Sequence, residues 1–289
     1  MKYLSKRILA GALALLCLGL GSAAGMTARA AQPVGCVAVS VDANVLGAGV
    51  LYGPELVPFY PGESCADVTD RFLGGGNYTA HPTYSYVTGI KLPRDFEPDV
   101  PAVLSVALGA GHSRAGEFLQ EFDFTATAGW FYTVNHEDAG VGAGSVPAQD
   151  GDVLRWQFSL IDWGADLGLA WDGNNVFTPE DKTALVLAVA QINSSADKAA
   201  LLVFDAGVKA AYDAAYTVLA DLAASQSDIS GALEALNSAV ANAVDHPPGT
   251  LLEKWYLKLP SWLEGIAACR PVFQYVILFA FFGWIWFLF

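Results

Sequence analysis

The chain has 289 residues, of which 54% are hydrophobic, with 29 Asp and Glu against 15 Lys and Arg and a mean hydropathy of +0.38. Residues 1–31 hold four of the basic residues and none of the acidic ones, so the remainder carries 11 minus 29, a net charge of −18. That balance excludes nucleic acid as a partner, because phosphates need neutralising by Lys and Arg.

Lys2, Lys6 and Arg7 precede an apolar run from Ile8 to Leu20, and Ala28-Arg29-Ala30 supplies a small-x-small cleavage site. This is the pattern of a secretory signal peptide over residues 1–30. Cys17 is preceded by Leu16 within the apolar run, which argues against a lipid-modified cysteine. An exported chain meets oxidising conditions. Cys36 and Cys65 are therefore expected to form a disulfide, closing a loop of about 30 residues worth roughly 3 kcal/mol.

The run CVAVSVD from Cys36 and the stretch Leu56 to Tyr60 read as strands. Ser64 is placed to cap a helix from Cys65 to Leu73, which three glycines then end. Tyr84 to Leu92 alternates as another strand. Gly111-His112-Ser113-Arg114-Ala115 approximates a nucleophile elbow, but its last Gly is Ala and no Gly-rich oxyanion loop precedes it. A hydrolase using Ser113 is thus a minor alternative to a strand ending in a polar loop.

Gly129 to Ser159 organises this half of the chain. Trp130 to Val134 and Val153 to Phe158 are rich in aromatic and β-branched residues and bounded by Gly, Asp or Asn. Leu154, Trp156 and Phe158 fall on one side of their strand and Arg155, Gln157 and Ser159 on the other. That alternation predicts a sheet with one packed face and one wet face.

Gly129-Trp130, Tyr132, Val134-Asn135, Asp150-Gly151-Asp152-Val153 and Trp156 together resemble the transcobalamin C-terminal-like domain, a β-rich module of secreted and surface proteins of Gram-positive bacteria. The resemblance covers about residues 35–162. It implies a β-grasp-like arrangement, and through the family name a cobalamin or other cofactor ligand as an alternative to an unidentified one. Trp130, Tyr132, Asn135 and His136 form the candidate ligand surface. His136 departs from the small residue usual at that position.

Asp162, Asp166 and Asp172 in IDWGADLGLAWDGNN invite a calcium loop, but the alternate-position spacing fails, so residues 166–178 read as a solvated linker. His81, His112, His136 and His246 show no metal-ligand spacing, and no metal is expected. From Thr178 the period changes to 3.6. Thr178-Pro179-Glu180-Asp181 reads as a helix start, with Leu185, Ala188, Val189 and Ile192 on one face. A long helix with Leu201 to Leu222 on its stripe follows Asn193-Ser194-Ser195, and a third begins near Ser225. Tyr212 and Tyr216 read as core or edge residues rather than a sugar-stacking surface. The stretch from Tyr216 to Val240 resembles the FIVAR-type three-helix module of bacterial surface proteins.

Residues 246–270 form a Trp-containing juxtamembrane stretch. Pro271 to Phe289 is 19 residues long with Gln274 its only strongly polar side chain, enough to span a bilayer as a helix.

The expected architecture is α+β: a signal peptide (1–30), a β-grasp-like β-rich domain (31–165), a linker (166–178), a three-helix bundle (179–245), a juxtamembrane segment (246–270) and a C-terminal transmembrane helix (271–289). The expected function is that of an exported, membrane-anchored surface protein, non-catalytic, with the ectodomain outside. Its partners would be the membrane and an extracellular glycan, protein or small molecule.

Overall fold

A computed structural model describes residues 32–81, 86–105, 108, 114 and 116–245, with side chains as far as Ala243. Residues 1–30, expected to be a signal peptide, Ser113 with most of its elbow, and the expected juxtamembrane and transmembrane segments, 246–289, lie outside the described residues. The fold is mixed α+β, with two sheets and five α-helices among the described residues. Among the described residues no helix is long and apolar enough to cross a membrane.

Strands β1 (Gly35–Asp42) and β2 (Val50–Phe59) form an antiparallel pair joined through a 3-10 turn at Asn44–Leu46. Gly53 of β2 has φ 71°, and a Cβ there would lie 2.5 Å from the carbonyl oxygen of Val39. Only glycine fits this close crossing. Helix α1 (Cys65–Leu73) begins where the sequence places it: Ser64 Oγ accepts from Asp67 N and Asp67 returns the bond to Ser64 N. Strands β3 (Tyr78–Ala80), β4 (Val87–Lys91) and β5 (Phe118–Gln120) make a small antiparallel sheet. Strands β6 (Gly129–Val134), β7 (Glu137–Asp138) and β8 (Val153–Ser159) then complete the larger sheet, in the order β2-β1-β8-β6-β7. β8 runs parallel to β1 and antiparallel to β6.

One face of this sheet presents Val37, Val39 and Val41 from β1, Trp130 from β6 and Leu154, Trp156 and Phe158 from β8. These pack with Cys65, Val68 and Leu73 of α1 into the main core. The opposite face is not wet. Arg155 and Gln157 are 3% and 5% exposed and Ser159 is fully buried. The side chains alternate as expected, but a helical layer covers the polar face.

The helical layer comprises α2 (Thr183–Asn193), α3 (Lys198–Phe204), α4 (Ala206–Ala220) and α5 (Gln226–Asp245). Helix α2 buries Leu185, Val186, Ala188, Val189, Ala190 and Ile192, which form a broad arc rather than a narrow stripe, while Ala184 stays exposed. An arc that wide needs cover from more than one neighbour. Accordingly α2 shares a second core with Ala38 and Val153 of the sheet and with Ala215, Leu219, Ile229 and Leu236 of α4 and α5. The expected long second helix is two helices, because Asp205 leaves helical geometry and accepts from Gly207 N and Val208 N as a cap. Helix α2 starts at Thr183 rather than near Thr178, with Asp181 Oδ1 accepting from Thr183 N at 2.8 Å.

The helical layer also closes the exposed edge of β2. Ser194 Oγ accepts from Leu56 N at 2.8 Å, Asn193 Nδ2 donates to Pro54 O at 2.7 Å, and the Tyr216 hydroxyl donates to Gly53 O at 2.8 Å. Tyr212 donates to Asn193 Oδ1 at 2.6 Å and packs on Tyr216 with ring centroids 5.0 Å apart. Both tyrosines therefore serve the edge. Side chains that satisfy edge groups leave no template for a further strand.

Candidate functional site

The residues that carry the motif are spent on the scaffold. Trp130 is 1% exposed, donates its indole N–H to Leu119 O at 2.8 Å and meets Phe158 edge to face at 5.2 Å. It thereby ties the larger sheet to the smaller one. Tyr132 stacks on Trp156 at 5.1 Å and donates to Val141 O at 2.5 Å, and burial pushes its hydroxyl pKa up to about 12. Asn135 takes a left-handed turn, φ 53°, and locks β6 to β8: its Nδ2 donates to Asp152 Oδ1 at 2.8 Å and its Oδ1 accepts from Val153 N at 2.9 Å. Asp152 also accepts from Gln149 N at 3.0 Å, and Asp150 from Cys36 N at 2.9 Å. The signature is a set of clasps around a turn, in which each polar side chain satisfies a backbone group.

His136 stands apart from this set. It too has a positive φ of 71°, and its Nδ1 lies 4.0 Å from Asp181 Oδ1 at the start of the helical layer. Trp130, Tyr132, Asn135 and His136 therefore do not converge on one ligand surface.

The disulfide between Cys36 and Cys65 is not formed. Cys36 shares the face of β1 that carries Ala38, which packs in the second core, whereas Cys65 belongs to the first. The sheet stands between them. Burial, reinforced by Asp152, pushes the Cys65 thiol up to about 11, so it is an inert core group.

The loop after β8 also differs from its expected character. Asp166 is fully buried, accepting from Ser159 Oγ at 2.5 Å and from Leu160 N at 2.7 Å. Burial raises its pKa despite these bonds. Asp172 stays at the surface, where Asn174 holds its carboxylate below the usual range. Among the described residues no cluster of three His, Cys, Asp or Glu is arranged to hold a metal.

An open cleft of about 240 Å³ lies between α1 and the β3–β4 hairpin. Ala66 and Thr69 of α1 form one wall, Tyr78, Ala80, His81 and Val87 line the other, and Trp156 contributes from the sheet. The Trp156 indole donates to Thr69 Oγ1 at 2.9 Å, and Thr69 in turn donates to Cys65 O at 2.7 Å. Tyr78 donates to Asp70 Oδ1 at 3.2 Å, and burial followed by Asp70 raises its pKa. The lining offers aromatic surface, an imidazole and hydroxyls already committed to the scaffold. Such a lining suits a small ligand. Only Trp156 links this cleft to the sequence motif. The remaining lining residues come from a helix and a hairpin whose adjacency no local pattern announces.

No family model, curated protein or solved structure matches the chain.

Proposed function

We propose that the chain is an exported, membrane-anchored bacterial surface protein whose β-rich half and helical layer act as non-catalytic binding or spacer modules. The observation that carries the binding role is the cleft over Trp156, between α1 and the β3–β4 hairpin. The reading of the β-rich half as β-grasp-like and transcobalamin C-terminal-like draws support from the strand order β2-β1-β8-β6-β7, with its parallel central pair and α1 on one face. The clasps made by Asn135, Asp150 and Asp152 support it further, since they give the motif a structural purpose. The export and anchor assignments rest on the sequence of residues 1–30 and 271–289.

A small ligand fits this cleft better than a corrinoid does. Sites for drug-sized ligands span roughly 300–1,000 Å³, and cobalamin is larger than such a ligand. The cofactor reading is therefore the second choice, and the Ser113 hydrolase reading draws on residues outside the described ones.

Two measurements test the proposal. Protease added to intact cells should digest the protein, and complete protection would overturn the outward orientation. A screen of the full chain against monosaccharides, oligosaccharides and cyanocobalamin should return a ligand whose binding is lost in Ala80→Phe, a change at an exposed lining residue that leaves the melting temperature in place. A ligand that binds Ala80→Phe as well as wild type would remove the cleft from consideration.

A further inference from the structure

Strand β3 forms one edge of the small sheet, and its pairing fixes which backbone groups that edge presents. Lys91 N donates to Asn77 O at 2.8 Å and His81 N to Tyr86 O at 2.7 Å, with Thr79 paired to Gly89 between them. Backbone groups alternate sides along a strand, so those of Asn77, Thr79 and His81 point to β4 and those of Tyr78 and Ala80 point away from it. Among the described residues nothing bonds to the N–H or C=O of Tyr78 or Ala80.

Other edges are treated differently. The β2 edge meets Ser194, Asn193 and Tyr216, and Gln120 N of the edge strand β5 donates to Asp123 Oδ2 at 2.7 Å. Outward N–H and C=O groups without such cover are a template for another strand.

The open edge runs along the cleft over Trp156. Tyr78 and Ala80 share one face of β3, and both line that cleft together with Val87 and with Ala66 and Thr69 of α1. In a strand added at this edge, alternate side chains would fall on the same face and enter the cleft. Thr69 Oγ1 already accepts from the Trp156 indole and donates to Cys65 O, and the Tyr78 hydroxyl donates to Asp70. What these walls have left to offer is mainly apolar surface, from Ala66, Ala80, Val87 and the two rings.

An extended peptide matches both features at once, its backbone for the edge and an apolar side chain for the cleft. At about 240 Å³ the cleft is smaller than the roughly 300–1,000 Å³ of sites for drug-sized molecules, which suits a side chain better than a whole ligand. The α1 wall disfavours an acidic peptide. Asp70 and Asp67 both act on Tyr78, while Arg71 beside them is engaged by Glu63 and by Pro58 O.

We propose that β3 accepts an extended peptide segment of another protein as an added strand at its open edge, with an apolar side chain of that segment seated in the cleft over Trp156. The inference rests on the reading of that cleft as a binding site and names its occupant.

The test uses the full chain in a non-ionic maltoside detergent and an immobilised array of acetylated hexathreonine peptides carrying each amino acid in turn at the third position. Peptides with Leu, Ile or Phe there should retain the protein and those with Asp or Glu should not. The Leu peptide then serves in solution. Successive N–H groups of a strand point to opposite sides, so N-methylation of two successive amides at the Leu should differ, one raising the Kd about tenfold and the other leaving it within about twofold. Ala80→Pro deletes an outward N–H where an edge strand tolerates proline, and should raise the Kd about fivefold with a near wild-type melt.

Equal effects of the two N-methyl groups, or wild-type affinity in Ala80→Pro, would overturn the proposal. Retention of no peptide would overturn it too. If small molecules still bind and are lost in Ala80→Phe, the cleft stands and only the added strand falls; if none binds, both fall. Self-association abolished by Ala80→Pro, without peptide binding, would give the edge to a second copy and overturn the proposal as well.

Discussion

Arg155 Nη2 lies 2.9 Å from Asp42 Oδ2 with both side chains 4% exposed, on the face of the sheet that the helical layer covers. The strand pairing places them there: Asp42 pairs with Gln157, one position beyond Trp156 from Arg155, so both charges project from the same face of the parallel pair. A charge pair removed from water recovers its desolvation cost only while both partners remain. Removing Arg155 takes away the partner that touches Asp42 and leaves Lys182 as its nearby opposite charge. Arg155→Met in the full chain should therefore lose about 3–5 kcal/mol of unfolding free energy, and Arg155→Met with Asp42→Leu should regain most of it. Urea denaturation of the two variants checks this. A double variant no more stable than Arg155→Met would mean that the pair does not act as a unit.

The tryptophans of the motif belong to the core, and His136 does not. Trp130 and Trp156 are 1% and 2% exposed, and each indole also holds a hydrogen bond to another element. Trp130→Ala and Trp156→Ala should each cost about 3–5 kcal/mol, through lost packing and an acceptor left without its donor. His136→Ala removes only a surface contact with Asp181 and should cost well under about 1 kcal/mol. Thermal melts of the three variants separate these outcomes, and an unchanged melt for Trp156→Ala would refute the assignment of this strand to the core.

What was legible in the sequence was what depends on neighbours in the chain. Ser64 with Asp67, the Asn193 helix end and the alternation of Leu154, Trp156 and Phe158 are local patterns, and the structure contains them. What was illegible depends on which surfaces meet. Arg155 and Gln157 look like a solvent face until α2 is laid over them, and nothing between residues 153 and 159 signals that cover. Val186 and Ala190 carried the hint, because a helix meant for a bundle alone has less need of apolar residues on its far side. The separation of Cys36 from Cys65 was hidden for the same reason, since spacing does not reveal on which side of a sheet a helix crosses. The cleft was illegible because its walls, α1 and the β3–β4 hairpin, follow one another in the chain with no pattern that fixes the angle between them, and Trp156 joins them from a distant strand.

Cys65 provides a chemical check on that separation. Its thiol is fully buried and its pKa stands at about 11, so in the native full chain iodoacetamide at pH 8 should leave it unmodified. After denaturation without reductant, the peptide carrying Cys65 should appear alkylated. A peptide of Cys65 joined to Cys36 under those conditions would show that the two meet, and the placement of α1 against β1 would then need revision.

The titrations of Lys182 and Cys65 move stability in opposite directions. The Lys182 side chain is 1% exposed and donates from Nζ to Leu219 O at 3.2 Å and to Asp221 O, capping the end of α4. Burial, with Arg155 second, lowers its pKa to about 8. An unfolded lysine titrates near 10.4, so between about pH 8 and 10.4 the unfolded chain binds a proton that the native chain has released, and stability contributed by this residue rises with pH. Cys65 works the other way: its native pKa of about 11 lies above its unfolded value, so its contribution declines as pH passes from about 8.5 to 11. In wild type the two offset one another over the same window. Urea denaturation at pH 7.5 and 9, below the range in which unfolded tyrosines ionise, should then show little change for wild type, a rise of about 1 kcal/mol for Cys65→Ala and a fall of about 0.5–1 kcal/mol for Lys182→Met. Parallel pH profiles for all three proteins would mean that Lys182 keeps its proton in the folded chain, and that the junction of sheet and helices holds a charged lysine throughout.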